Sequence, residues 1–298
     1  MNEKTNRITV YTTTYNRAYI LTKAYESLCR QTCDDFEWLI VDDGSTDNTA
    51  TLVQKWINEG EINIRYIFQE NQGVNIARNK AIENISSELN VCLDSDDFFK
   101  DEAIEKILTT WDGRKSDIYV GVIGLDCYPS EVIVGKPFPK ELTEATLFEL
   151  YEKYGIYGDK KMAYKTSVCK KYPTPNYKGE KYYPNRQKYY MIDTEGPCLL
   201  LNEPICVVEY LPDGITASRY KRYYENPVGL AAYRKFIMQY NPVYKNIFRQ
   251  SIHFVAMNLI AKNGIGFKDS DYKVANIVMA PLGILLYLYI KYRNRGEL

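Results

Sequence analysis

Val91-Cys92-Leu93-Asp94-Ser95-Asp96-Asp97-Phe98 reads as a buried strand that runs out into three carboxylates within four residues. Each carboxylate disfavours ionisation of its neighbours, so the turn is costly unless something positive sits there. A hard divalent cation, held by carboxylate oxygens and shared with the phosphates of a ligand, removes that penalty. The plainer alternative is a solvated turn in which Asp96 or Asp97 caps a helix beginning near Asp101. Taken alone, a D-x-D triplet favours the plainer alternative. Three earlier stretches change the balance.

Ile8-Thr9-Val10-Tyr11-Thr12 is a β-branched run that leads into the polar loop Thr13-Thr14-Tyr15-Asn16-Arg17. A helix to about Arg30 follows, with Ile20, Leu21, Ala24 and Leu28 on one face. Trp38-Leu39-Ile40-Val41 is the next strand and ends in Asp42-Asp43-Gly44-Ser45-Thr46-Asp47, where Gly44 permits a sharp turn and Thr46 or Asp47 can cap a helix to about Asn58. Ile64–Phe68 is a third strand. Asn71-Gln72-Gly73-Val74-Asn75-Ile76-Ala77-Arg78-Asn79 opens a helix through Ile85, and the strand into Asp94 is the fourth. Such short alternation of strand and helix predicts an α/β fold with a mostly parallel sheet and helices on both faces. Ligands of these sheets bind beyond the carboxyl ends of the strands, and all four polar clusters fall there or in the helix start that follows.

After Asp97 the pattern predicts a helix over Asp101–Trp111, a strand over Asp117–Ile123, a helix at Thr143–Tyr151, an amphipathic element over Lys161–Lys171 and a strand over Ile205–Tyr210. From Pro227 onward everything reads helical. The expected organisation is one domain over residues 1–225 and a docked helical segment over 226–298.

Lysine plus arginine balances aspartate plus glutamate, 38 against 38, so no bulk field draws the chain to nucleic acid. The 28 tyrosines combine apolar edges with a hydroxyl and suit sugar faces as well as cores. Seven cysteines without a C-x-x-C pair fit a reducing cytoplasm, and the N-terminal stretch is expected to carry no signal peptide. His253 is the single histidine and lies in an apolar helical run, which argues against zinc or histidine-based catalysis.

The order T-x-Y-N-R, D-D-G-S-T-D, G-x-x-x-A-R-N, D-S-D-D resembles family 2 glycosyltransferases of the GT-A fold, a Rossmann-like architecture. The resemblance covers about residues 8–125 and continues more weakly through Gly158-Asp159-Lys160, Tyr164-Lys165-Thr166, Gly179-Glu180-Lys181-Tyr182 and Tyr210-Leu211-Pro212-Asp213-Gly214-Ile215-Thr216, like a bacterial branch that builds surface polysaccharides. It implies a UDP-sugar donor, a Mg or Mn ion, inversion at the anomeric carbon, and a glycan or lipid-linked acceptor used in capsule, lipopolysaccharide or exopolysaccharide synthesis. Thr13 and Tyr15 are then expected at the ribose, phosphate or base, and Asp43 at the imide N–H of uracil. Arg78 would reach the base or diphosphate, where a planar guanidinium matches oxygen pairs. Asp94 would take the ribose hydroxyls with Ser95 beside it, and Asp96 is the expected metal ligand, with Asp97 and Asp213 as further candidates. The resemblance places an acid after Pro184, the position of the usual proton acceptor, where this chain has Asn185. Glu180 is therefore the expected base.

Two other readings stay open. A sugar nucleotidyltransferase shares the α/β architecture but wants a glycine-rich phosphate loop after the first strand, and Thr12–Arg17 holds no glycine. A non-catalytic nucleotide or glycan binder is the other, with Asn185 as its hint. Val274–Ile290 is apolar apart from Asn276, is broken by Pro281 and Gly283, and is followed by Lys291, Arg293 and Arg295. At 17 residues it is short for a crossing, which takes about 20. A buried terminal helix or a shallow anchor over 274–295 fits it, in a protein expected in the cytoplasm or peripherally on the cytoplasmic face of the inner membrane.

Overall fold

The β-branched run at the start of the chain forms β1 (Ile8–Thr14), and each later alternation of strand and helix adds a layer to it. In order these are α1 (Ala18–Cys29), β2 (Phe36–Asp42), α2 (Thr49–Glu59), β3 (Ile64–Phe68), α3 (Val74–Asn84), β4 (Leu89–Cys92), β5 (Phe98–Phe99) and α4 (Ala103–Arg114). They continue as β6 (Gly121–Cys127), β7 (Glu144–Ala145), β8 (Lys160–Lys165), α5 (Thr166–Lys171), α6 (Arg186–Ile192) and β9 (Cys198–Val207). The structure is a computed structural model and describes residues 6–209, 219–264, 266 and 270–295. Two compact units emerge, Met1–Pro173 with Lys188–Glu209, and Thr174–Gln187 with Tyr210–Leu298, so the division falls elsewhere than the expected 225/226 boundary.

In the first unit the strands of the described residues form one sheet in the order β3-β2-β1-β4-β8-β6-β9-β5, with β7 paired to β9. β3, β2, β1 and β4 run parallel, whereas β8 is antiparallel to both β4 and β6. Both faces are covered, which is why the middle of β2, Trp38–Val41, is a continuous apolar run with no polar alternation. Trp38 and Ile40 point into the layer of α1, α2 and α4, while Leu39 and Val41 pack with Ala77, Ala81 and Ile82 of α3. Tyr25, Trp38 and Trp56 stack on the first face, Tyr25 to Trp56 at 4.3 Å. Each large side chain buried this way stabilises the fold by about 1.5–3 kcal/mol. The α/β architecture expected from the sequence, a sheet with helices on both faces, is thus present.

Three local expectations fail. Thr143–Tyr151 is helical only in its second half: Glu144–Ala145 is the short strand β7, and the helix begins at residue 147 and is π-helical over Glu149–Lys153. The strand expected over 117–123 begins at Gly121, and the amphipathic element at 161–171 is strand β8 followed by helix α5.

The second unit carries α7 (Arg219–Glu225), α8 (Pro227–Tyr240), α9 (Tyr244–Ile260) and α10 (Lys273–Arg293). Pro227 occupies the first turn of α8, where its missing N–H costs nothing. Leu230, Met238, Phe254, Met257 and Ile290 form the core. His253 lies in α9, with its Nδ1 buried and without a hydrogen bond among the described residues. Burial, helped by Arg234, Arg249 and Arg219, pushes its pKa down to about 3 from an ordinary 6.5. The unfolded chain therefore binds more protons between those values, and stability falls as the pH drops through that window. A loss of about 2 kcal/mol between pH 7 and pH 5 is expected, since one pKa unit is worth about 1.4 kcal/mol. Urea unfolding of His253→Gln at both pH values should show that loss removed.

Candidate active site

Because β1 pairs in parallel with β2 and β4, the carboxyl ends of all three strands leave the sheet along one edge. Thr14 stands opposite Asp42, and Tyr11 opposite Cys92. Backbone bonds continue the pairing past the strands, from Asp43 N–H to the Thr14 carbonyl at 2.8 Å and from Leu93 N–H to the Tyr11 carbonyl at 2.9 Å. The Thr12 hydroxyl donates to the Leu93 carbonyl at 2.7 Å and accepts from the Trp38 indole at 2.9 Å.

Asn16 ties the first two loops together. It adopts φ +53°, a left-handed conformation that asparagine tolerates. Its side-chain carbonyl accepts from Thr46 N–H at 2.7 Å, and its own N–H donates to Ser45 Oγ at 2.8 Å. Gly44 (φ +83°) is required twice over, because a Cβ there would also lie 2.7 Å from the backbone nitrogen of Asn71. The Asp43 carboxylate, 4% exposed, crosses to the same segment. Its Oδ1 accepts from the Gln69 amide at 2.8 Å and from Gln72 N–H at 2.9 Å, and its Oδ2 accepts from Gly73 N–H at 2.8 Å. Asp43 thereby fixes the start of α3, with three of its roughly four acceptor positions in use.

Helix α3 in turn carries Arg78, whose guanidinium donates to Asp94 Oδ1 at 2.8 Å. Asp43, Arg78 and the acidic turn are thus joined through one helix and one ion pair. The turn closes with Asp97 N–H on the Asp94 carbonyl at 3.0 Å. Asp97 pairs with Lys161 of β8 at 3.1 Å, both side chains being about a tenth exposed or less. Asp126, at the end of β6, is buried, with Oδ1 unpartnered. Asp94 and Asp97 therefore each hold a cation, whereas Asp96 and Asp126 have no ion pair among the described residues.

The electrostatics follow. Burial works against the Asp94 carboxylate, but Arg78 and Lys161 hold it below its usual range. Burial, with Asp94 alongside, pushes Asp96 up. Asp97 rises to about 7, because burial and the nearby charges of Asp94 and Asp126 outweigh a lysine that several carboxylates share. Burial takes Asp126 to about 6. Lys161, despite its own burial, is held firmly protonated by these neighbours. The cluster is short of positive charge.

Thr13 is half-buried at the end of β1, Tyr15 in the loop after it is 49% exposed, and Ser95 is buried between the two aspartates. Glu180 and Asn185 belong to the second unit. Glu180, the expected base, accepts one hydrogen bond on each oxygen: Oε1 from Val228 N–H and Oε2 from Gly229 N–H, each at 2.7 Å, at the start of α8. Asn185 holds its side-chain oxygen buried and unpartnered. Asp213 and Thr216 lie outside the described residues.

Among the described residues no three His, Cys, Asp or Glu side chains converge on a common point. A Mg or Mn ion fits here in the manner of such ions in phosphate sites, through one or two carboxylates with the remaining positions filled by phosphate oxygens and water. Asp96 suits that part, because among the described residues it has no ion pair while both its acidic neighbours have one. The buried, unpartnered Arg78 Nε offers a further donor to an anion. Lys161 and Asp126 were missed in the sequence. The one available sign was Lys160-Lys161 at the head of a strand, where period two sends adjacent side chains to opposite faces of a sheet covered on both sides, and both are buried.

A model of the family described as glycosyl transferase family 2 matches residues 9–173, more than half of the chain. The teichoic acid poly(glycerol phosphate) polymerase of Staphylococcus epidermidis is 38% identical over 100 residues, covering 33% of this chain and 14% of the relative. Across the first relatives the match spans 14–35% of their length. S. aureus TarS 1-349 in complex with UDP-GlcNAc superposes with a TM-score of 0.60 at 18% identity, covering 95% of this chain and 81% of that one. The mannosyltransferase PcManGT of Pyrobaculum calidifontis, in complex with GDP-Man and Mn2+, gives 0.53 at 18% identity, covering 97% and 82%. At that identity the two structures speak for the fold.

Proposed function

The chain belongs to glycosyl transferase family 2, and from that premise we propose that it transfers a sugar from a UDP-sugar, with a Mg or Mn ion and with inversion, to a glycan or lipid-linked acceptor. The observation that carries this reading is the single sheet edge on which Asp43, Arg78 and an acidic turn with one unmatched carboxylate, Asp96, are linked. TarS with UDP-GlcNAc and PcManGT with Mn2+ support donor and metal by likeness of fold. The S. epidermidis teichoic acid polymerase supports a bacterial surface polymer as the product.

In this proposal Asp43 has one acceptor position left on Oδ2 for the uracil imide, and the exposed ring of Tyr15 stacks on the base. Asp94 and Ser95 face the ribose, Thr13 and Arg78 the donor's polar groups, and Asp96 holds the cation. When bound, that cation acts as a Lewis acid and template at the departing diphosphate. Asp97, whose carboxylate is committed to Lys161, holds the turn in shape and does not ligate.

The test is release of UDP from a panel of UDP-sugars with Mn2+. Turnover of at least one donor, abolished by EDTA, is expected. Absence of both UDP binding and turnover overturns the proposal. Glu180→Gln belongs in the same assay. As a cap of α8 it should cost about 1 kcal/mol of stability and leave kcat within a few fold. A loss of a hundredfold or more at unchanged Tm would restore Glu180 as the base.

A further inference from the structure

Helix α10 presents two opposed stripes. Asn276, Gly283 and Ile290, seven residues apart, are buried. A Cβ on Gly283 would lie 2.6 Å from Val255 of α9, so the two helices touch there almost backbone to side chain. On the other side Val274, Val278, Leu282, Leu285, Leu288 and Tyr292 follow one another at three- and four-residue steps, each half or more exposed. That stripe runs the length of a helix of about 30 Å. Exposed apolar surface of this extent marks a site of contact. Among the described residues α10 is also the one helix long and apolar enough to cross a bilayer. Its packed stripe shows instead a helix lying with one face on protein.

Charge selects the occupant. Residues 219–298 hold thirteen lysines and arginines against four acids, in a chain whose totals are equal. Residues 273–295 contain no acid, with Lys273 at one end and Lys291, Arg293 and Arg295 at the other. Two copies of the stripe laid together, parallel or antiparallel, would bring cationic end onto cationic end. Nucleic acid offers nothing to the apolar side chains. An anionic lipid surface takes both, with the apolar stripe at the acyl boundary and the basic ends at the headgroups.

We infer that the exposed stripe of α10 docks the protein in the plane of an anionic bilayer. The inference is independent of sugar transfer, and its readout involves no turnover. The full 298-residue chain is to be sedimented with phosphatidylcholine vesicles containing about a third phosphatidylglycerol, and with pure phosphatidylcholine. Binding to the anionic vesicles at least tenfold tighter than to the neutral ones is expected, weakening with salt. Leu285→Glu with Leu288→Glu should lower it at least tenfold at unchanged Tm, since both side chains already face outward, and Lys291→Glu with Arg293→Glu should remove the lipid preference. No sedimentation with anionic vesicles, or binding that survives the two leucine substitutions, overturns the inference. So does a dimer, seen by light scattering, that the leucine substitutions dissociate while vesicle binding is absent.

Discussion

Asp96→Asn is expected to abolish Mn2+-stimulated UDP binding, measured by calorimetry with and without the metal, and to lower turnover roughly a thousandfold. The magnitude follows from a Lewis-acid contribution of several kcal/mol to the transition state, at about 1.4 kcal/mol per tenfold in rate. The neighbours cannot compensate, because Asp94 is committed to Arg78 and Asp97 to Lys161. Folding should not suffer. The substitution removes a partly buried charge that has no ion pair among the described residues and stands between the carboxylates of Asp94 and Asp97, so Tm should hold or rise slightly. Unchanged metal-stimulated binding in a folded Asp96→Asn protein would remove the ligand assignment and leave the acidic turn as architecture.

The second large effect concerns Lys161. Lys161→Met deletes the cation that Asp97 contacts at 3.1 Å and leaves carboxylates buried without a counter-charge. Breaking a buried pair in this way costs about 3–5 kcal/mol, much more than an exposed pair is worth. Adding Asp97→Asn should recover most of the loss, because the penalty belongs to the orphaned charge and not to the missing contact. Denaturant unfolding of the two single variants and the double variant checks this. Loss of less than 1 kcal/mol in Lys161→Met, or no recovery in the double variant, would show that the pair is not what stabilises the turn.

Much of the first sheet was legible because its signals are local. Ile64–Phe68 is strand β3 to the residue, and the polar clusters after β1, β2 and β4 fall on one edge because parallel strands allow no other arrangement. The start of Thr143–Tyr151 misled because a short apolar pattern does not separate one helical turn from a strand, and pairing of Glu144 and Ala145 with β9 decided it, while the helix begins at residue 147. Lys161–Lys171 carried two periods in succession and read as one element. The hydrogen-bond partners of Asp97 and Glu180 were hidden for a different reason. Their partners, a lysine and a backbone N–H, lie 64 and 48 residues away, and no window of sequence shows which donor folding will bring opposite which carboxylate.

Strand β8 lies hydrogen-bonded along β4, and the chain must reach residue 165 before it can do so. A nascent polypeptide that has emerged only through β6 has its aspartates in place but lacks the lysine that matches one of them, and β4 still offers a bare edge to any passing strand. The acidic turn therefore matures late in synthesis, when a strand of opposite direction slots in beside it. Until then this half of the molecule is the part most in need of protection.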